Sequence, residues 1–127
     1  MEFKKLVKEC GFGLAVILQW PKPSQDQNFL DTTTIYQWGE VYTQATVSSE
    51  VENFAYKAMI ILGKDDFLVW WNVCRFNHCE KLNLLALTKM CDYAKTLDQW
   101  FEIYNRAPKG VFKEIAFGQL RRLANEP

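Results

Sequence analysis

The sequence predicts an all-α protein: a right-handed stack of about three helix-hairpin repeats, an alpha-solenoid, behind an atypical N-terminal cap. Three observations carry this expectation. Trp38, Trp70 and Trp100 recur at spacings of 32 and 30 residues, each inside the same apolar pattern. A second stripe, centred on Ala55, Ala86 and Ala116, follows those tryptophans by 17, 16 and 16 residues. Capping and helix-breaking residues fall between the stripes. The chain is expected to be one helical-repeat domain over residues 1–127, with a cap at 1–33 and repeats at about 34–63, 66–94 and 96–124.

Residues 1–33 do not follow the repeat. Phe3, Leu6 and Val7 lie on one side of a short amphipathic helix ending near Glu9, and Gly11 and Gly13 interrupt it. Leu14 to Trp20 is read as a buried helix, with a strand as the open alternative, because a short apolar run has no diagnostic period. Pro21 to Gln27 is a loop.

Each repeat then opens on an N-cap type, Thr34, Asp66 or Thr96, directly before an apolar residue, Ile35, Phe67 or Leu97. Measured from the tryptophan, apolar residues return at +3 and +4 as Val41-Tyr42, Val73-Cys74 and Ile103-Tyr104, and Ala45, Asn77 and Ala107 stand at +7. Offsets of −3, 0, +3, +4 and +7 trace one face of a 3.6-residue helix. In the second helix of each repeat, Val51, Leu82 and Phe112 precede the alanine by four. Phe54, Leu85 and Ile115 precede it by one, and Met59, Met90 and Leu120 follow by four. Thr96 with Gln99, and Ser49 with Glu52, fit capping boxes, while Pro108 and Gly110 separate the last two helices. The predicted helices are 34–45, 49–62, 66–77, 80–94, 97–107 and 111–124, seven or eight in all with the cap.

Composition excludes several classes. Of 127 residues 49% are apolar and 24% charged, a globular balance. Fifteen basic and fifteen acidic residues leave no net charge, so the basic excess of a dedicated DNA-binding domain is missing. No run approaches the roughly 20 apolar residues of a membrane span, and Glu2 and Glu9 spoil a signal-peptide reading of the N-terminus. The chain is therefore expected in the cytoplasm, with Cys10, Cys74, Cys79 and Cys91 as reduced thiols.

Chemistry-bearing groups are few. Cys74-x-x-x-His78-Cys79 suggests zinc or a thiol–imidazole pair, but Cys74 takes the core position of Tyr42 and Tyr104, and no CxxC pair exists. No phosphate loop, nucleophile elbow or His-Glu-x-x-His motif occurs, and no metal or cofactor is expected. Trp71 and Phe101 each follow an anchoring tryptophan by one residue, about 100° around the helix. With Phe76 they either pack between repeats or form an aromatic partner-binding patch. Arg75 and Arg106 stand beside them, with Lys81, Lys109, Lys113, Arg121 and Arg122 nearby. Phe117 lies off the consensus stripe of the last helix, which directs that helix toward another copy or a partner.

The pattern of cap, apolar, x, x, Trp, x, x, Val/Ile, Tyr, followed by Ala-Pro and an alanine-containing second helix, resembles the short helix-hairpin repeats of bacterial alpha-solenoid proteins, broadly the tetratricopeptide and HEAT-like class. The resemblance covers residues 34–124 and is closest from Thr96 to Ala124. The unit is shorter than the 34 residues of the tetratricopeptide repeat, and the order Trp-Leu-Gly-Tyr is absent. Such proteins are scaffolds, adaptors or partner-binding modules, so the resemblance implies a non-enzymatic protein–protein interaction role: an adaptor, an inhibitor or immunity-type partner, or a subunit of a larger assembly. The alternatives from the residues are a single-stranded nucleic-acid-binding surface of basic and aromatic side chains, and a small Cys/His-dependent enzyme.

Overall fold

The computed structural model describes residues 2–26, 28–75 and 79–126. Among the described residues the protein is all-α, with eight α-helices, two short 3-10 helices and no strand. No helix is long and apolar enough to cross a membrane among those residues. The chain forms two compact units, residues 1–64 and 65–127.

In the first unit α1 (Phe3–Cys10) runs into α2 (Phe12–Gln19), so the apolar run after Gly11 is a helix and not a strand. Gly11 makes the break, with φ of +88° and its N–H on the Val7 carbonyl at 2.8 Å. Gly13 does not interrupt the chain as expected. It sits inside α2, where an added Cβ would lie 2.8 Å from Glu40 Cγ and 3.1 Å from the Glu40 backbone carbon. Its missing side chain lets α2 approach α3 (Ile35–Gln44), and Phe12, Ala15 and Val16 are buried there. The expected loop after Trp20 contains a 3-10 turn at Lys22–Gln25, and a second 3-10 turn follows it at Leu30–Thr32.

An aromatic cluster joins this cap to the first hairpin. Phe12 stacks on Phe29 and meets Trp38 edge-on, with ring centroids 6.0 and 5.8 Å apart, and Trp38 in turn meets Phe54 at 5.3 Å. Trp38 is fully buried and its Nε1–H donates to Thr33 Oγ1 at 2.7 Å. Thr34 and Gln37 close a full capping box on α3. The cap of α4 (Glu50–Gly63) is only half the expected box. Ser49 Oγ accepts from the Glu52 amide, but the Glu52 carboxylate takes the amide of Ser48 at 2.9 Å. The Ser49 amide is already bonded to the Thr46 carbonyl, and Ser48 turns through φ +66° to present its own N–H.

In the second unit Asp66 Oδ1 accepts from the Leu68 amide and starts α5 (Phe67–Arg75); the expected continuation to residue 77 lies outside the described residues. Helix α6 spans Glu80–Tyr93, α7 Leu97–Arg106 and α8 Val111–Ala124. Helices α5 and α6 form one hairpin, α7 and α8 another, and α6 touches both members of the second. The α7 cap is the predicted box, Thr96 and Gln99 bonding each other's amides at 3.2 Å. Trp70, Ala86, Met90 and Ala116 have no exposed surface, and Val73, Leu82 and Ile103 fill the space around them.

The apolar stripe opens in α7 and α8. Leu97 is 48% exposed where Ile35 and Phe67 are buried, and Ile115 is 42% exposed where Leu85 is buried. Helix α6 has the following hairpin against it, whereas α8 packs mainly on α7 and touches α6.

Candidate functional site

Helix α5 turns Trp70 into the core and therefore sets Trp71 about 100° away, half-buried at the edge of the second unit. Arg75, one turn further along α5, lies over the same side as Trp71. On α7 the same spacing places Glu102 below Arg106, and their side chains pair at 3.9 Å. The two helices bring these pairs together. Trp71 Nε1–H donates to Glu102 Oε2 at 3.1 Å, and the guanidinium carbons of Arg75 and Arg106 stand 4.9 and 5.1 Å from its ring centroid. Each cation–π contact at such a site contributes roughly 0.5–1 kcal/mol. The carboxylate supplies a second hold, so Trp71 is fixed in position before anything binds.

Two recesses flank this cluster. An open groove of about 730 Å³ is lined by Arg75, Arg106, Asn83, Asn105, Glu80 and Leu84, among others. A smaller one of about 300 Å³ runs along Trp71 beside Phe67 and Leu68, and Glu102 borders both. Asn83 Oδ1 is buried with no hydrogen-bond partner among the described residues. An acceptor in that condition carries an unrecovered desolvation cost that an incoming N–H donor would relieve.

Of the residues singled out in the sequence, Trp71, Arg75 and Arg106 therefore come together. The continuous aromatic patch does not form from the described residues: Phe101 is 53% exposed and makes no ring contact with Trp71, whose face is taken by the arginines. Phe76 lies outside the described residues. Phe117 is 55% exposed on α8, with Tyr104 at 6.3 Å, and Lys113 Nζ sits 4.6 Å from that Tyr104 ring. The basic residues do not merge into one patch either, since Arg122 is bound to Glu126 and Gln119 and Arg106 to Glu102. Glu102, Asn83 and Asn105 were not singled out in the sequence. Glu102 was accessible through its i,i+4 spacing to Arg106; the two asparagines had no signal of their own.

Two of the four cysteines, Cys74 and Cys91, are held toward the neutral thiol. Cys74 is buried, and burial pushes its thiol up, although the Arg106 charge pulls the other way. Burial, with the Asp92 charge adding to it, raises Cys91 to about 11. A nucleophilic cysteine needs the opposite shift. Cys79 caps α6 without a side-chain hydrogen bond to that helix, and His78 lies outside the described residues. Among the described residues no three His, Cys, Asp or Glu side chains are grouped to hold a metal ion.

Comparison with protein-family models, with curated proteins and with solved structures finds no match to this chain.

Proposed function

We propose that this protein is a non-enzymatic protein–protein interaction module of the tandem helix-hairpin type, related in construction to the tetratricopeptide and HEAT-like class. It works in the reducing cytoplasm, where its four free cysteines stay thiols. The observation that carries this reading is the fixed Trp71, held by Glu102 between two guanidiniums and flanked by two recesses. Tryptophan and arginine dominate the energetics of protein interfaces, and an anchor that is already ordered loses little entropy when a partner arrives. The groove suits a polypeptide segment, whose backbone N–H groups are the donors Asn83 lacks and whose apolar side chain fits the recess along Phe67 and Leu68.

Nucleic acid is the weaker reading. Phosphate binding needs uncompensated cations, whereas the Arg106 charge is shared with Glu102 and Glu80 also lines the groove. The test is affinity capture of the tagged chain from its native lysate, with and without nuclease, beside the Arg106→Glu variant. A stoichiometric protein that survives nuclease and is lost with Arg106→Glu is the expected result. Recovery of nucleic acid alone, or of proteins that vanish on nuclease treatment, overturns it.

A further inference from the structure

Helix α8 carries a feature independent of the Trp71 groove. From the N-cap Gly110 onward, Val111, Glu114, Phe117, Gly118 and Arg121 are all exposed, with Ile115 and Arg122 exposed along one edge of them, and Ala116 on the opposite side is fully buried. Those positions form one stripe of a helix centred between residues 117 and 118. At its centre Gly118 breaks local logic. A glycine inside a 14-residue helix costs stability relative to alanine, yet a Cβ built there meets no atom within 4 Å outside its own stretch of helix. Nothing in the described chain needs that position empty. Beside it Phe117 holds its ring 55% exposed. One turn to either side, Glu114 and Arg121 are exposed, and neither makes an ion pair among the described residues.

We propose that α8 is a self-association surface on which a second copy of this chain packs its own α8 antiparallel. A two-fold axis running between the two helices, perpendicular to both and level with the midpoint of Phe117 and Gly118, sets the two Phe117 rings against each other on one side of the axis and the two Gly118 residues against each other on the other. The same axis sets Glu114 of each copy against Arg121 of the other, because these residues are symmetric about the same point. Shape and charge are thus both self-complementary under one operation, the condition for an isologous dimer. The paired Phe117 rings supply apolar burial, and the facing Gly118 residues let the helices approach closely. The two ion pairs set direction, since a parallel arrangement would oppose like charges. The interface is small and solvent-rimmed, so the dimer is weak and concentration-dependent.

The test is sedimentation velocity of the full chain over a concentration series, with helicity checked by circular dichroism. Glu114→Arg and Arg121→Glu are both surface substitutions, and each alone is expected to weaken association about tenfold. Mixed one to one, the two variants recover it, because every cross-pair is then of opposite sign. Gly118→Leu, which puts a side chain where the two helices approach most closely, abolishes association while the monomer stays helical. A wild-type chain that stays monomeric up to millimolar concentration overturns the proposal. So does a dimer that either charge reversal or Gly118→Leu leaves intact, or a one-to-one mixture that fails to recover.

Discussion

The alanine at the middle of each second helix shows what single atoms decide in this protein. Ala55, Ala86 and Ala116 have no exposed surface and hold equivalent positions after Trp38, Trp70 and Trp100. A methyl is all the space admits where paired helices approach, so the alanine is a packing limit and not a default residue. Ala86→Leu inserts three further carbons into that contact and is expected to cost about 1–3 kcal/mol through displaced neighbours. Denaturant unfolding of the variant checks this; an unchanged midpoint would mean that α6 is not closely approached at that point. Residue-scale logic also explains why Trp71 differs from its neighbour. Trp70 is sealed in the core, while Trp71 is held at the surface by hydrogen bond and charge, and that difference of 100° on one helix makes one ring structural and the other available.

At the scale of elements, the helices were legible where period and punctuation agreed. Six stripes with their caps placed α3 to α8 to within about two residues at every end that falls in the described residues, because an amphipathic face and a capping residue are local properties. Helix α2 was ambiguous for a physical reason: its exposed side carries Leu14 and Leu18, so no polar face reveals a period, and the role of Gly13 depends on Glu40, far along the chain. The site was half-legible in the same way. Trp71 with Arg75, and Glu102 with Arg106, are each one turn apart and visible in sequence. Their meeting depends on how α5 and α7 are phased against each other, which no local pattern encodes. Caps also differ in how much each side chain carries. Gln99 bonds the amides of both Lys95 and Thr96, but Thr96 Oγ1 alone serves the Gln99 amide. Thr96→Ala leaves that donor without its acceptor and is expected to cost about 1 kcal/mol, read from thermal or urea unfolding. A loss below a few tenths would show that water substitutes there at no penalty.

For the molecule as a whole, net charge is zero, so its dependence on pH is set by groups that the fold itself perturbs. Cys74, Cys91 and Tyr93 all lie in the second unit, and each is raised from its ordinary value, burial being the largest cause. Each is a neutral acid whose folded form holds its proton more tightly than the unfolded chain does. The stability linked to that proton is whole below the unfolded value, 9.0 for Cys91, and is lost as pH rises through the folded value of about 11. The second unit is therefore expected to weaken on the alkaline side. Replacing Cys91 with alanine removes one of the contributing protons at little change in volume. Urea midpoints measured between pH 8.5 and 11 should then fall more steeply for the native chain than for Cys91→Ala, whatever the offset between the two at the starting pH. Parallel curves would mean that the Cys91 thiol ionises as readily folded as unfolded, and that the packing of α6 around it admits water.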